Sequence, residues 1–171
     1  MGQHPNTITI QGFVLNVGAA IILAFGHLTW GGAVLLLTSA VDGLDGALAR
    51  VSGKMTRFGA FLDSTLDRIS EGALFLGLVA WLLSQQRPVD VYLVFVTLLG
   101  SVMVSYIRAR AEGVGYACKV GALSRLERVL VLGVGLMLGW VQLTLGLLAA
   151  LTWFTVVQRM VYVYRESRRN P

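Results

Sequence analysis

Apolar residues fill this chain in six long runs, and the polar positions between them fall in clusters rather than alternating. Runs near the ~20 residues that carry a helix across a bilayer predict membrane-spanning helices. The first run extends from Ile8 to about Phe25, behind Pro5-Asn6-Thr7, where Asn6 or Thr7 can cap a helix. Gly26 to Gly32 breaks it, with Trp30 suited to an interfacial belt, and the second run continues from Ala33 to about Arg50. A basic turn from Arg50 to Arg57 leads into the third, Gly59 to Leu83. Ser84 to Asp90 reads as a turn, the fourth run spans Val91 to about Ile107, and Gly113 and Gly115 stop the helix beyond it. The fifth is apolar from Val129 to Trp140, with room for a start one turn earlier, and the sixth runs from Leu143 to about Tyr164. Gly135 and Gly139 are spaced for helix packing. The pattern predicts an all-α fold: a polytopic integral membrane protein with six transmembrane helices, forming a single domain over residues 1–171.

Composition sharpens this picture. Of the 171 residues 56% are hydrophobic and only 13% charged, so little chain is left for a soluble domain and any chemistry must use helix ends and short loops. No Lys or Arg precedes the first run, which argues against a cleavable signal peptide, and Asn6 spoils a myristoylation signal at Met1-Gly2. The single Cys118 excludes an internal disulfide and a cysteine-rich metal site. His4 and His27 stand far from any second His or Cys and read as loop or interface residues.

Charge then orients the chain. Threading six spans puts the Arg50–Arg57 turn, the Arg108–Arg128 region and the C-terminus on one side, with only Arg87 of the 14 Lys and Arg residues opposite. The positive-inside rule makes that side cytoplasmic, giving a multi-pass protein of the cell (plasma) membrane with its polar centre facing the cytoplasm. The net charge of +5 therefore reflects topology and anionic lipid or phosphate partners, and it gives no support for nucleic-acid binding.

Against this background four of the nine acidic residues crowd into Asp42 to Asp67, after 41 residues without one Asp, Glu, Lys or Arg. On helices, Asp42 and Asp45 (i, i+3) share one face and Asp63 and Asp67 (i, i+4) share another. Two unit charges at about 4 Å repel by roughly 4 kcal/mol at an effective dielectric near 20, so four converging carboxylates call for protons or cations. All-oxygen ligands suit Mg²⁺, Mn²⁺ or Ca²⁺, and Arg50, Lys54 and Arg57 alongside suit a phosphate diester or pyrophosphate. Gly43, Gly46 and Gly59 leave space for a ligand to approach the backbone. Glu71 extends the Asp63/Asp67 face by one more i+4 step, as support for the site or as a partner of Arg68.

The spacing Asp42-x2-Asp45-Gly46-x2-Ala49-Arg50-x8-Gly59-x3-Asp63-x3-Asp67 resembles the complete signature of the CDP-alcohol phosphotransferase (CDP-alcohol phosphatidyltransferase) family. The resemblance implies a six-helix membrane enzyme with the signature on its second and third helices, usually a homodimer. It implies transfer of a phosphatidyl or related group from a CDP-linked lipid, CDP-diacylglycerol or CDP-archaeol, to an acceptor hydroxyl, with release of CMP. Carried onto this chain, Asp42, Asp45 and Asp63 would hold two Mg²⁺ or Mn²⁺ ions, and Asp67 would complete the metal site or act as general base on the acceptor hydroxyl. Gly46, Ala49, Arg50, Thr56 and Gly59 would line the CDP pocket.

A second cationic stretch addresses the acceptor. Arg108, Arg110, Lys119, Arg125 and Arg128 gather at the same membrane face, and guanidinium groups on helix ends can fork onto a phosphate. Arg108, Arg110, Arg125 and Arg128 are thus the expected acceptor-phosphate residues. Ser105-Tyr106-Ile107-Arg108-Ala109-Arg110-Ala111-Glu112 and Glu127-Arg128 resemble the branch of the family that uses inositol phosphate, although Leu126 stands where that branch often has Pro. Glycerol 3-phosphate as acceptor, in a phosphatidylglycerophosphate synthase, is the alternative. From another class altogether, a cation channel or transporter could also place Asp residues inside a bundle, but it gives no reason for Gly46, Ala49, Arg50 and Gly59 at their spacing.

Overall fold

The computed structural model describes residues 5–51 and 56–169, without the side chains of residues 5, 6, 8 and 44–51. His4 and Lys54, and the side chains of Asp45, Gly46, Ala49 and Arg50, thus lie outside the described residues. Among those described there are six helices and no strand: α1 (Pro5–Ala24), α2 (Leu28–Val51), α3 (Arg57–Ser84), α4 (Pro88–Gly113), α5 (Arg125–Met137) and α6 (Val141–Arg169).

Most boundaries differ from those the hydropathy pattern predicts, and each difference has a local cause. Asn6 and Thr7 are already helical rather than capping, because Pro5 supplies the first helical residue, where no N–H is needed. α2 begins at Leu28, five residues ahead of Ala33. Gly31 and Gly32 do not break it; they are contact points, and a Cβ on Gly32 would lie 2.6 Å from the Gly133 carbonyl oxygen of α5. The turn before it is left by Gly26 at φ +84, with His27 in the loop as expected. α3 starts at Arg57 because the Thr56 hydroxyl accepts the Gly59 N–H at 2.9 Å. α4 runs from Pro88 through Ile107 to Gly113, and α6 from Val141 past Tyr164 to Arg169. α5 starts at Arg125, not Val129, since Ser124 and Glu127 form a capping box, and it stops at Met137, ahead of Gly139 at φ +71. The two spaced glycines therefore divide their roles: Gly139 ends the helix, whereas Gly135 packs on Thr144 of α6.

Each helix packs against two others, in the order α1–α3–α4–α6–α5–α2 and back to α1, so the six close into a ring. Leu23, Leu35, Leu74, Leu78, Leu136, Leu145 and Leu148 fill its core. The polar residues are also inside. Asn16, Thr38, Ser39, Ser70, Thr97, Ser101, Thr144, Thr152 and Thr155 are buried, while Phe25, Trp30, Leu37, Leu76, Phe95 and Leu143 face outward, each at least 65% exposed. Buried hydroxyls are satisfied locally: Thr38, Thr97 and Thr155 donate to the carbonyl four residues back, and Thr97 also reaches Leu145 O on α6 at 3.1 Å. Pro88–Gly113 and Val141–Arg169 are each long and apolar enough to cross a membrane, and Thr9–Ala24 and Leu28–Gly43 are shorter apolar stretches.

Candidate active site

One cavity gathers charge from both sides of the ring. Asn16 of α1, Ser39 of α2, Asp67 and Glu71 of α3, Ser101 of α4, and Arg125 and Arg128 of α5 surround a cavity of about 20 Å³, room for one water molecule, floored by Leu74, Leu132 and Leu148. The i+4 spacing of Asp63, Asp67 and Glu71 aligns three carboxylates on α3 as the sequence predicts. Asp63, at the solvent end, is exposed, whereas Asp67 and Glu71 lie deeper, their side chains 16% and 13% exposed.

Asp67 faces α5, where its Oδ1 meets Arg125 Nη2 at 2.6 Å, while its Oδ2 lies 3.9 Å from Arg68 Nη2. Asp63 and Asp42 stand near enough for their charges to repel that of Asp67. Asp42 comes in from α2 against α1 at the bare backbone of Gly12. A Cβ there would lie 2.5 Å from Asp42 Oδ1 and 3.2 Å from Oδ2. On the same helix Asn16 Nδ2 donates to Gly12 O at 3.0 Å.

One turn deeper, Glu71 joins three helices. Its Oε1 accepts the Ser101 hydroxyl at 2.5 Å and lies 3.5 Å from Arg128 Nε, and its Oε2 lies 3.6 Å from Arg68 Nε. Arg68 Nη1 donates in turn to Ser105 Oγ. The two ion pairs are a few tenths of an ångström beyond hydrogen-bond length. Arg68 Nε, Glu71 Oε2 and Arg128 Nε and Nη2 consequently have no hydrogen-bond partner, although all four are buried.

The predicted cationic cluster is split by the fold. Arg125 and Arg128 enter the cavity, Arg128 being only 4% exposed. Arg108 lies outside it on an exposed face of α4, paired with Glu112 at 3.0 Å, and Arg110 and Lys119 are also exposed. Of the expected CDP-pocket residues, Thr56 caps α3 and Gly59 lies in its first turn. Gly46, Ala49 and Arg50 follow on the last turns of α2. Arg87, the lone cation of the opposite end, is engaged by buried Asp90 at 2.5 Å.

Sequence reasoning did not single out Asn16, Ser101 or Arg159. Asn16 carries a signal in hindsight, as a polar side chain inside a charge-free span. Arg159 is buried in α6 and donates to Val120 O at 2.9 Å and Val104 O at 2.5 Å, while Gln158 Oε1 accepts the Ala122 N–H. Together they tie the loop before α5 to α6, and so set where Arg125 and Arg128 enter the ring.

Among the described residues no three carboxylates close on a common point as a finished metal cage. The donors these residues offer are nevertheless all oxygen, and Asp42 and Asp63 lie within electrostatic reach of Asp67. That set fits a hard divalent cation with waters completing its shell.

A helical ring with carboxylates at its rim and guanidinium groups in its cavity has the chemistry to hold a phosphate-bearing ligand beside a divalent cation. The sequence pattern of the CDP-alcohol phosphatidyltransferases matches residues 3–161. The archaetidylinositol phosphate synthase of Methanothermobacter thermautotrophicus is 38% identical over 94% of this chain and 83% of its own length. The phosphatidylinositol phosphate synthase of Corynebacterium glutamicum is 40% identical over 92% and 76%. Among solved structures, that of Mycobacterium tuberculosis phosphatidylinositol phosphate synthase with CDP-DAG bound superposes with a TM-score of 0.88 at 35% identity, covering 95% of this chain and 87% of that one. The same protein in complex with manganese and citrate gives 0.86 at 36%, over 95% and 83%. The chain belongs to the CDP-alcohol phosphatidyltransferase family and is an enzyme of that class. The resemblance carried by the signature is borne out.

Proposed function

We propose that this enzyme transfers the phosphatidyl group of CDP-diacylglycerol, or the equivalent group of CDP-archaeol, to a hydroxyl of inositol phosphate and releases CMP. The observation that carries the reading is the cavity across which Asp67 and Glu71 of α3 meet Arg125 and Arg128 of α5. The relatives named above, an archaetidylinositol phosphate synthase and a phosphatidylinositol phosphate synthase, support the choice of acceptor.

In this reading the acceptor oxygen attacks the lipid-bearing phosphorus of the pyrophosphate, the bond from that phosphorus to the CMP oxygen breaks, and the acceptor proton passes to Asp67 Oδ2. Arg125 holds Asp67 by Oδ1 and so turns Oδ2 toward the acceptor. Asp42, Asp45, Asp63 and Asp67 would hold two Mg²⁺ or Mn²⁺ ions, which supply neutralising charge to the pyrophosphate and leaving CMP. Gly46, Ala49, Arg50, Thr56 and Gly59 would line the CDP moiety. Arg125 and Arg128 would bind the acceptor phosphate, whereas Arg108 and Arg110 lie outside the cavity. The unpartnered Arg128 Nη2 supports this assignment, since a buried guanidinium N–H calls for an acceptor.

We also assign the chain as one transmembrane domain of six spans, with the site facing the cytoplasm and the protein a homodimer in the cell membrane. The inverted pattern supports the spans: buried Thr, Ser and Asn sit inside a ring whose outer surface is Phe, Leu, Trp and Tyr. Arg57, Arg108, Arg110, Lys119 and Arg125 at the Asp end, against Arg87 at the other, support the orientation.

The test is CMP release by purified protein in detergent with CDP-diacylglycerol and Mn²⁺, comparing inositol phosphate, glycerol 3-phosphate, free inositol and serine. Release with inositol phosphate alone is expected. Release with glycerol 3-phosphate instead would keep the Asp roles and discard the acceptor assignment.

A further inference from the structure

Glu71 lies outside the family signature and has no part in the proposed reaction, yet it is the most connected carboxylate of the cavity. Arg68 and Arg128 approach it from opposite sides, and Ser101 anchors its Oε1 to α4. Removing a guanidinium such as Arg128 from water is tolerable only when an opposite charge is fixed beside it. Arg125 and Arg68 supply the wrong sign, and Asp67 is taken up by Arg125.

Glu71 is the one carboxylate that ion-pairs with Arg128 among the described residues. Its bond to Ser101 keeps it from following Arg128 when a substrate arrives. Yet the ion pair is long, and Nη2 of this cavity-lining arginine has no hydrogen-bond partner. This arrangement fixes a cation in place without using up its donors.

We propose that Glu71 is a positioning residue for the acceptor: it holds Arg128 in the cavity with Nη2 directed at an incoming phosphate, and it does not itself touch the substrate. The proposal rests on the assignment of Arg128 to the acceptor phosphate, and the test separates the two. Initial rates of CMP release are measured on the full chain in detergent with Mn²⁺, titrating inositol phosphate and CDP-diacylglycerol in turn. Glu71→Gln keeps the shape and removes the charge. It should raise the KM for inositol phosphate about tenfold and leave that for CDP-diacylglycerol within about twofold. Arg128→Ala should show the same split, and the double variant should be no worse than Arg128→Ala alone, because one change acts through the other.

If Arg128→Ala raises the acceptor KM while Glu71→Gln leaves it unchanged or lowers it, the positioning role is overturned and the acceptor assignment stands. Effects that multiply in the double variant also overturn it. An acceptor KM untouched by Arg128→Ala refutes the acceptor assignment itself, and the positioning role falls with it. Should Glu71→Gln fail to fold, Ser101→Ala decides: loss of the hydroxyl that anchors Oε1 should raise the acceptor KM about threefold, and no change overturns the proposal.

Discussion

Gly12→Ala separates the metal site from the fold it sits in. Glycine in a helix interior is less favourable than alanine by roughly 0.8–1 kcal/mol, so on propensity alone the substitution should stabilise α1. The new methyl, however, would lie 2.5 Å from Asp42 Oδ1, against the 3.4 Å at which contact becomes ordinary, so the carboxylate must retreat by about 0.9 Å. A functional constellation tolerates displacements of about 0.5 Å, and disturbing the support of a metal ligand typically weakens binding about 10- to 100-fold. Gly12→Ala should therefore raise the Kd for Mn²⁺, read as free ion by electron paramagnetic resonance, at least about tenfold. The melting temperature without metal should stay level or rise by about 2–4 °C. Gly18→Ala on the same helix meets nothing within 4 Å and should give the rise in melting temperature with no change in Mn²⁺ affinity. Mn²⁺ binding by Gly12→Ala within twofold of the native protein would refute both the reasoning and the place of Asp42 among the ligands.

Asp67→Asn should abolish CMP release while binding of CDP-diacylglycerol, measured by calorimetry, is largely kept; undiminished turnover would remove Asp67 as the base. Gly77→Ala should destabilise the protein by about 1–3 kcal/mol in thermal unfolding, because its Cβ would lie 2.1 Å from the backbone oxygen of Ala20 and α1 cannot yield locally. Gly72→Ala, five residues earlier on α3 and in open space, should be neutral or stabilising; equal losses for the two would sink the close-packing account. Arg159→Ala should expose the amides around Val120 to faster hydrogen exchange, since its contact with Val120 O ties that loop to α6, while exchange in α1 stays as it was.

The sequence alone determined the helical class, the number of helices and the carboxylates of the centre. Those features are local: a run of apolar residues has one economical conformation, and Asp63, Asp67 and Glu71 fall on one face by the 3.6-residue turn of any helix. Helix ends were read less well because they depend on single hydrogen bonds and contacts. Gly31 and Gly32 carry the composition of a break and are helical because α1 and α5 press on them, and Ser124 with Glu127 starts α5 a turn before its apolar stretch.

Tertiary structure alone decided which of the cations belong together. Arg108 and Arg125 look alike in sequence, each beside a helix end on the same membrane face. The ring sets α5 opposite α3 across the cavity, so that Arg125 reaches Asp67, while α4 turns Arg108 outward to Glu112. Likewise no spacing rule links Gly12 to Asp42 or Ser101 to Glu71, at separations of thirty residues. Helix periodicity fixes neighbours three and four positions apart; neighbours across the ring follow from which helices pack, and that choice is made by the whole set of close contacts at once.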